Sequence, residues 1–132
     1  MKILVCEDEE MLLTSLEFRL RKQGFDVIRA VDGQEAKDKV QSEMPDLVIA
    51  DIMMPHVSGL ELTTFIRKKM KSTMPIIMIS ALGNDDTVLE AFQLGANDFI
   101  SKPFKPIELV LRIKKIFQEQ QESKKMRSSV NA

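Results

Sequence analysis

The chain has a single cysteine, a single histidine, no excess of basic residues and no apolar run long enough to cross a membrane. Each shortage removes a class of function. Cys6 has no partner for an intramolecular disulfide and lies inside an apolar run, so it reads as a small buried hydrophobe in a reducing compartment. A net charge of -1 excludes a general nucleic-acid binder, because nothing in surplus is available to neutralise phosphates, although a local basic patch remains open. His56 by itself makes no metal site. The opening run Ile3-Leu4-Val5-Cys6 is cut off by Glu7 and Asp8, too soon for a signal peptide or a membrane span. A cytoplasmic location is therefore expected. With 132 residues the chain suits one domain.

What the sequence does contain is alternation. Apolar runs recur at Ile3–Cys6, Val27–Ala30, Leu47–Ala50, Ile76–Ile79 and Phe99–Ile100, as expected for parallel strands covered on both faces. Helical periodicity fills the gaps. Met11, Leu12, Leu16 and Leu20 form a stripe that Gly24 stops. Asp32 with Glu35, and Ser58 with Glu61, read as capping boxes at two helix starts, the second continuing through Leu62, Phe65, Ile66 and Met70. A fourth helix is predicted from about Asp85 through Val88, Leu89 and Phe92 to Gly95. A fifth starts at Pro106 and carries Ile107, Val110, Leu111, Lys114 and Phe117. Five βα repeats predict an α/β domain with an open, doubly wound parallel sheet over residues 1–118. Residues 119–132 lose the periodicity and read as a polar tail, frayed at its end, or the start of a linker.

Ligands of such sheets bind at the carboxyl ends of the strands, and the unusual residues gather there. Glu7 and Asp8 follow the first run, Asp51 the third, Ser80 and Ala81 the fourth, and Ser101 and Lys102 the fifth. Taken singly, Asp51 would cap a turn, Glu7 and Asp8 would start a helix, and Lys102 would be a solvated charge. Together they bring three carboxylates, a hydroxyl and an ammonium to one edge. Carboxylates crowded together repel unless a cation intervenes, and Mg²⁺ (or Mn²⁺ in its place) suits one or two carboxylates plus phosphate and water oxygens. An aspartate is also a competent nucleophile for phosphoryl groups, and transfer needs chiefly position and charge neutralisation.

These residues lie in the stretches ILVCEDE, PDLVIADIMMP with Gly59 following, IIMISA and GANDFISKPF. In these stretches, and over about residues 1–118, the chain resembles the receiver domains of two-component response regulators. The resemblance implies a flavodoxin-like sheet of strand order 2-1-3-4-5 flanked by five helices. It implies that Asp51 takes a phosphoryl group from the histidine of a sensor kinase or histidine phosphotransfer protein. Asp8 and Asp51 would hold Mg²⁺ by their side chains, Met53 by its backbone carbonyl, and Glu7 largely through water. Lys102 would pair with the phosphoryl oxygens. Ser80 would swing towards them, letting Phe99 turn inward and remodelling the face of the fourth helix, fifth strand and fifth helix. Glu7 stands where Asp is commoner, Phe99 lacks the hydroxyl of the frequent Tyr, and the apolar Met53 implies a phospho-state lasting minutes or longer.

The chain is expected to be a signalling switch that accepts phosphate on its own aspartate and turns over no external substrate. Its output is expected to be that of the receiver part of a transcription regulator, acting on DNA only through an effector domain outside this chain. Asp98, Glu108 and Arg112 resemble the charged positions of a homodimer face, although Val88 replaces the usual basic residue there. The rival output is a stand-alone receiver acting by protein binding. A haloacid-dehalogenase-type phosphatase would share the aspartate, hydroxyl, lysine and Mg²⁺, but needs a general acid where Met53 stands.

Overall fold

The computed structural model describes the backbone of residues 1–131 and the side chains of residues 1–127. Strand and helix alternate as predicted: β1 (Lys2–Cys6), α1 (Glu10–Lys22), β2 (Asp26–Ala30), α2 (Gly33–Glu43), β3 (Leu47–Asp51), α3 (Gly59–Thr64), β4 (Ile76–Ser80), α4 (Asp85–Leu94), β5 (Asp98–Ser101) and α5 (Pro106–Asn131). All neighbouring strands pair in parallel, in the order β2-β1-β3-β4-β5.

The period of two along each strand divides the core. Leu4, Cys6, Val48, Ala50, Ile76 and Met78 face a cluster completed by α2, α3 and α4. Ile3, Val5, Ile49, Ile77 and Ile79 face another, completed by Leu13, Leu16 and Leu20 of α1 and by Leu109, Val110, Ile113 and Phe117 of α5. Every residue of β3 and β4 is buried, which explains their unbroken apolar runs. Both capping boxes hold at their first half: Asp32 accepts from the Glu35 N–H at 2.8 Å, and Ser58 from the Glu61 N–H at 3.1 Å.

Some predicted faces are turned the other way. Met11 is 84% exposed, since the stripe of α1 that meets the sheet is Leu13, Leu16 and Leu20. Leu89 and Phe92 of α4, and Ile107 and Leu111 of α5, are also exposed. These helices carry apolar residues on more than one side, so periodicity alone could not choose the buried side. The third helix is not α-helical through Met70: it widens into a π-helical turn, Phe65–Lys69, closed by the Met70 N–H on the Phe65 carbonyl. Residues 119–131, read as a polar tail or the start of a linker, continue α5 as helix, and Ala132 lies outside the described residues. No helix among the described residues is long and apolar enough to cross a membrane.

Candidate functional site

The strand order reverses at β1, and the connections from β1 and β3 leave on opposite faces, which opens a crevice at their carboxyl ends. Glu7 follows β1 directly, its N–H continuing the ladder onto the Ala30 carbonyl at 2.9 Å. Asp51 is the last residue of β3, and Ser80 the last of β4. Lys102 follows β5, with its N–H on the Ser80 carbonyl at 2.8 Å. Regular pairing thus carries all four to one rim. Gly59 is needed to close it: a Cβ there would stand 2.5 Å from the Asp51 carbonyl oxygen, so only glycine lets α3 begin against the loop behind Asp51.

The side chains converge as the sequence implied. Carboxylate oxygens of Glu7, Asp8 and Asp51 all lie within 4.8 Å of one another. Glu7 is fully buried, Asp51 nearly so, and Asp8 exposed. The Lys102 Nζ lies 2.5 Å from Glu7 Oε1 and 2.5 Å from Asp51 Oδ2. Asp51 Oδ1 accepts the Met53 N–H at 2.9 Å, so both of its oxygens are engaged. Glu7 Oε2 is buried without a hydrogen-bond partner.

One ammonium cannot balance three carboxylates. Burial, and then the hydrogen bond with Asp51, push the Glu7 carboxyl up to about 7, although Lys102 pulls the other way. Burial draws the Lys102 ammonium down, but its bonds to Asp51 and Glu7 outweigh that and hold its pKa above the usual lysine value. An all-oxygen donor set, an unpartnered buried oxygen and surplus negative charge fit a hard divalent cation such as Mg²⁺. Glu7, Asp8 and Asp51 would hold it, and its charge would offset the repulsion among them.

Ser80 is fully buried, and its Oγ accepts the Leu82 N–H at 2.9 Å, which leaves its proton to be donated. Ala81 is exposed at the start of the loop beyond it. Phe99 is already only 9% exposed, its ring in the cluster beneath α4. Asp98, Glu108 and Arg112 do meet, but within the chain: Arg112 lies 2.7 Å from Asp98 and 3.3 Å from Glu108. His56 sits apart, exposed beside Asp32, Glu35 and Asp38. Sequence reading missed two contacts. The bond from the Met53 N–H follows from a side chain reaching two residues on, a spacing that could have been read. The direct Glu7–Lys102 contact, across 95 residues, left no local signal.

Comparison with known proteins agrees with this geometry. Residues 3–114 match the family model described as the response regulator receiver domain. The chain is 41% identical, over 115 residues, to the alkaline phosphatase synthesis transcriptional regulatory protein PhoP of Bacillus subtilis (strain 168). That match covers 87% of this chain and 48% of the relative, so the chain spans about half of that protein's length. Among solved structures, a CheY-like receiver domain protein of Methanospirillum hungatei superposes with a TM-score of 0.87 at 28% identity, covering 92% of this chain and 97% of that one. A response regulator from Chloroflexus aurantiacus gives 0.81 at 36% identity, covering 87% and 95%. The chain belongs to the response regulator receiver domains, phosphoacceptor modules of two-component signalling rather than enzymes in the usual sense.

Proposed function

We propose that Asp51 is the phosphoacceptor of this receiver and that the phosphoryl group comes from the phosphohistidine of a sensor kinase or phosphotransfer protein. One observation carries the reading: Lys102 bridges Glu7 and Asp51 at 2.5 Å each, with Asp8 in the same cluster and one buried Glu7 oxygen unpartnered. In the transfer an Asp51 carboxylate oxygen forms the new P–O bond while the P–N bond breaks, and the donor imidazole keeps that electron pair. Lys102 moves its charge from the carboxylates to the phosphoryl oxygens, and the Ser80 hydroxyl donates to another. Asp8, Asp51, the Met53 carbonyl and Glu7 are the groups that would hold Mg²⁺, which would supply charge neutralisation at the same oxygens.

Met53 is 59% exposed and apolar, so its side chain offers neither a general acid nor a group to align a water on the acyl phosphate. That disfavours a phosphatase of the haloacid-dehalogenase type and favours a lasting phospho-state. The output we favour is that of a transcription regulator's receiver, in keeping with the relative that is twice as long. Exposed Leu89 and Phe92 of α4, exposed Ile107 and Leu111 of α5, and the Asp98–Arg112–Glu108 cluster support a homodimer through α4, β5 and α5. A stand-alone receiver that binds a protein target through the same face is the second reading.

The test is labelling by a radioactive small-molecule phosphodonor with Mg²⁺. Wild type should take up label stoichiometrically and hold it for minutes or longer, and Asp51→Asn should take up none. Steady release of phosphate, label on the Asn variant, or loss of label within seconds would each contradict part of this account.

A further inference from the structure

Arg67 stands in the middle of the π-helical turn, between Asp51 and Ser80 in the sequence, and every N–H of its guanidinium is used. Nε and Nη2 donate to the Gly95 carbonyl at 3.1 and 2.9 Å. Nη1 donates to the carbonyls of Ser72 and Met74 at 3.0 and 2.7 Å, and Nη2 also to Asn97 Oδ1 at 2.9 Å. None of these acceptors is a carboxylate. The fork thus holds three pieces of backbone: the end of the third helix, the approach to β4 and the exit from α4. Asn97 extends the link, since its Oδ1 also accepts the Ile76 N–H at 2.9 Å and its own N–H donates to the Ile76 carbonyl at 2.8 Å.

The fit at Gly95 is close as well as bonded. Gly95 has φ +112, and a Cβ there would stand 2.9 Å from Arg67 Nε and 3.0 Å from Arg67 Cγ. The opposite end of α4 is held very differently. Residues 81–86 are all exposed, and the start of the helix is secured by Asn84 accepting the Thr87 N–H and by the Leu82 N–H on Ser80. Along its length α4 fully buries only Ala91. In a helix with little buried surface, the end that Arg67 ties by two hydrogen bonds to Gly95 and one to Asn97 is the more restrained, and the end resting on Ser80 the less.

We propose, resting on the phosphoacceptor reading above, that Arg67 is a positioning residue that makes the C-terminal end of α4 the fixed end of the switch. Within α4, rearrangement set off at Asp51 and Ser80 is then confined to residues 81–88, and Gly95–Asn97 stay in place. The wide π-helical turn is what aims Arg67 across to Gly95.

Two-dimensional amide NMR and hydrogen exchange on the whole chain, with and without BeF₃⁻ and Mg²⁺, test this. In wild type, BeF₃⁻ should shift amides at Asp51 and across 81–88 and leave Gly95, Ala96 and Asn97 unmoved. Arg67→Lys keeps the charge and loses the fork. It should speed exchange at Gly95–Asn97 at least tenfold and let the BeF₃⁻ shifts spread to those residues, which a merely stabilising role would not cause. Wild-type shifts at Gly95–Asn97 as large as those at 81–88 would overturn the inference alone, as would an unchanged pattern in Arg67→Lys. Absence of any shift around Asp51 and Ser80 would overturn the phosphoacceptor reading and the inference with it.

Discussion

The chemistry of single residues is set here by what surrounds Glu7. Its pKa in the metal-free protein lies near 7, above the ordinary 4.5, because burial and Asp51 outweigh Lys102. Below pH 4.5 the carboxyl is protonated in the folded and unfolded chain alike, and costs nothing. Between 4.5 and 7 the folded chain keeps a proton that the unfolded chain releases, so stability falls as pH rises, and above 7 the loss is constant. At about 1.36 kcal/mol per unit, the metal-free protein should lose roughly 1–3 kcal/mol between pH 5 and 7.5 through this group. Glu7→Gln should flatten that fall, and so should saturating Mg²⁺ on the wild type. Urea denaturation at several pH values measures it. Parallel profiles for wild type and variant would show that Glu7 is not the titrating group. Lys102, raised rather than lowered, contributes its stability below the ordinary 10.5 and loses it only at more alkaline pH, outside this window.

Among the elements, helix starts were easier to read than helix faces or ends. Asp32–Glu35 and Ser58–Glu61 are local signals and behave locally. The exposed Met11, Leu89, Phe92, Ile107 and Leu111 were misplaced because burial depends on which side of a helix meets the sheet. Residues after Gln118 stay helical without an apolar stripe, since Glu, Gln, Lys, Met and Arg all favour helix and Gln118 reaches Glu122 at 3.3 Å. Two helix ends carry an avoidable cost. Met44 (φ 47) caps α2 in the left-handed region, and Lys71 (φ 51) does so behind the π-helical turn. A β-carbon is disfavoured there, and glycine removes the penalty. Met44→Gly and Lys71→Gly should each raise unfolding free energy by about 0.5–1 kcal/mol, the left-handed penalty less the added unfolded-state entropy of glycine, and a loss in both would refute the strain assigned to these caps.

For the whole molecule, the proposed switch requires phosphate on Asp51 to favour one arrangement of the face that includes the Ser80 end of α4 over another. Moving a 1:99 mixture to 99:1 takes about 5.5 kcal/mol, within reach of Lys102, Ser80 and metal contacts acting together. If the output is a homodimer, BeF₃⁻ with Mg²⁺ should shift the chain from monomer to dimer in sedimentation. Arg112→Glu, which breaks the pairs with Asp98 and Glu108, should hold it as monomer while Asp51 still takes up label. A monomer under all conditions would favour the reading in which this face binds a different protein.

Strand positions, the α/β class and the identity of the acidic, hydroxyl and lysine residues were legible in the sequence, because apolar period, capping pairs and strand-end residues act over a few residues. Spatial order went further. The contacts of Lys102 with Glu7 and Asp51 span 95 and 51 residues, and those of Arg67 with Gly95 span 28. Pairings at that separation are made only when parallel strands fall into register, so folding alone turned acids scattered along the chain into one charged site.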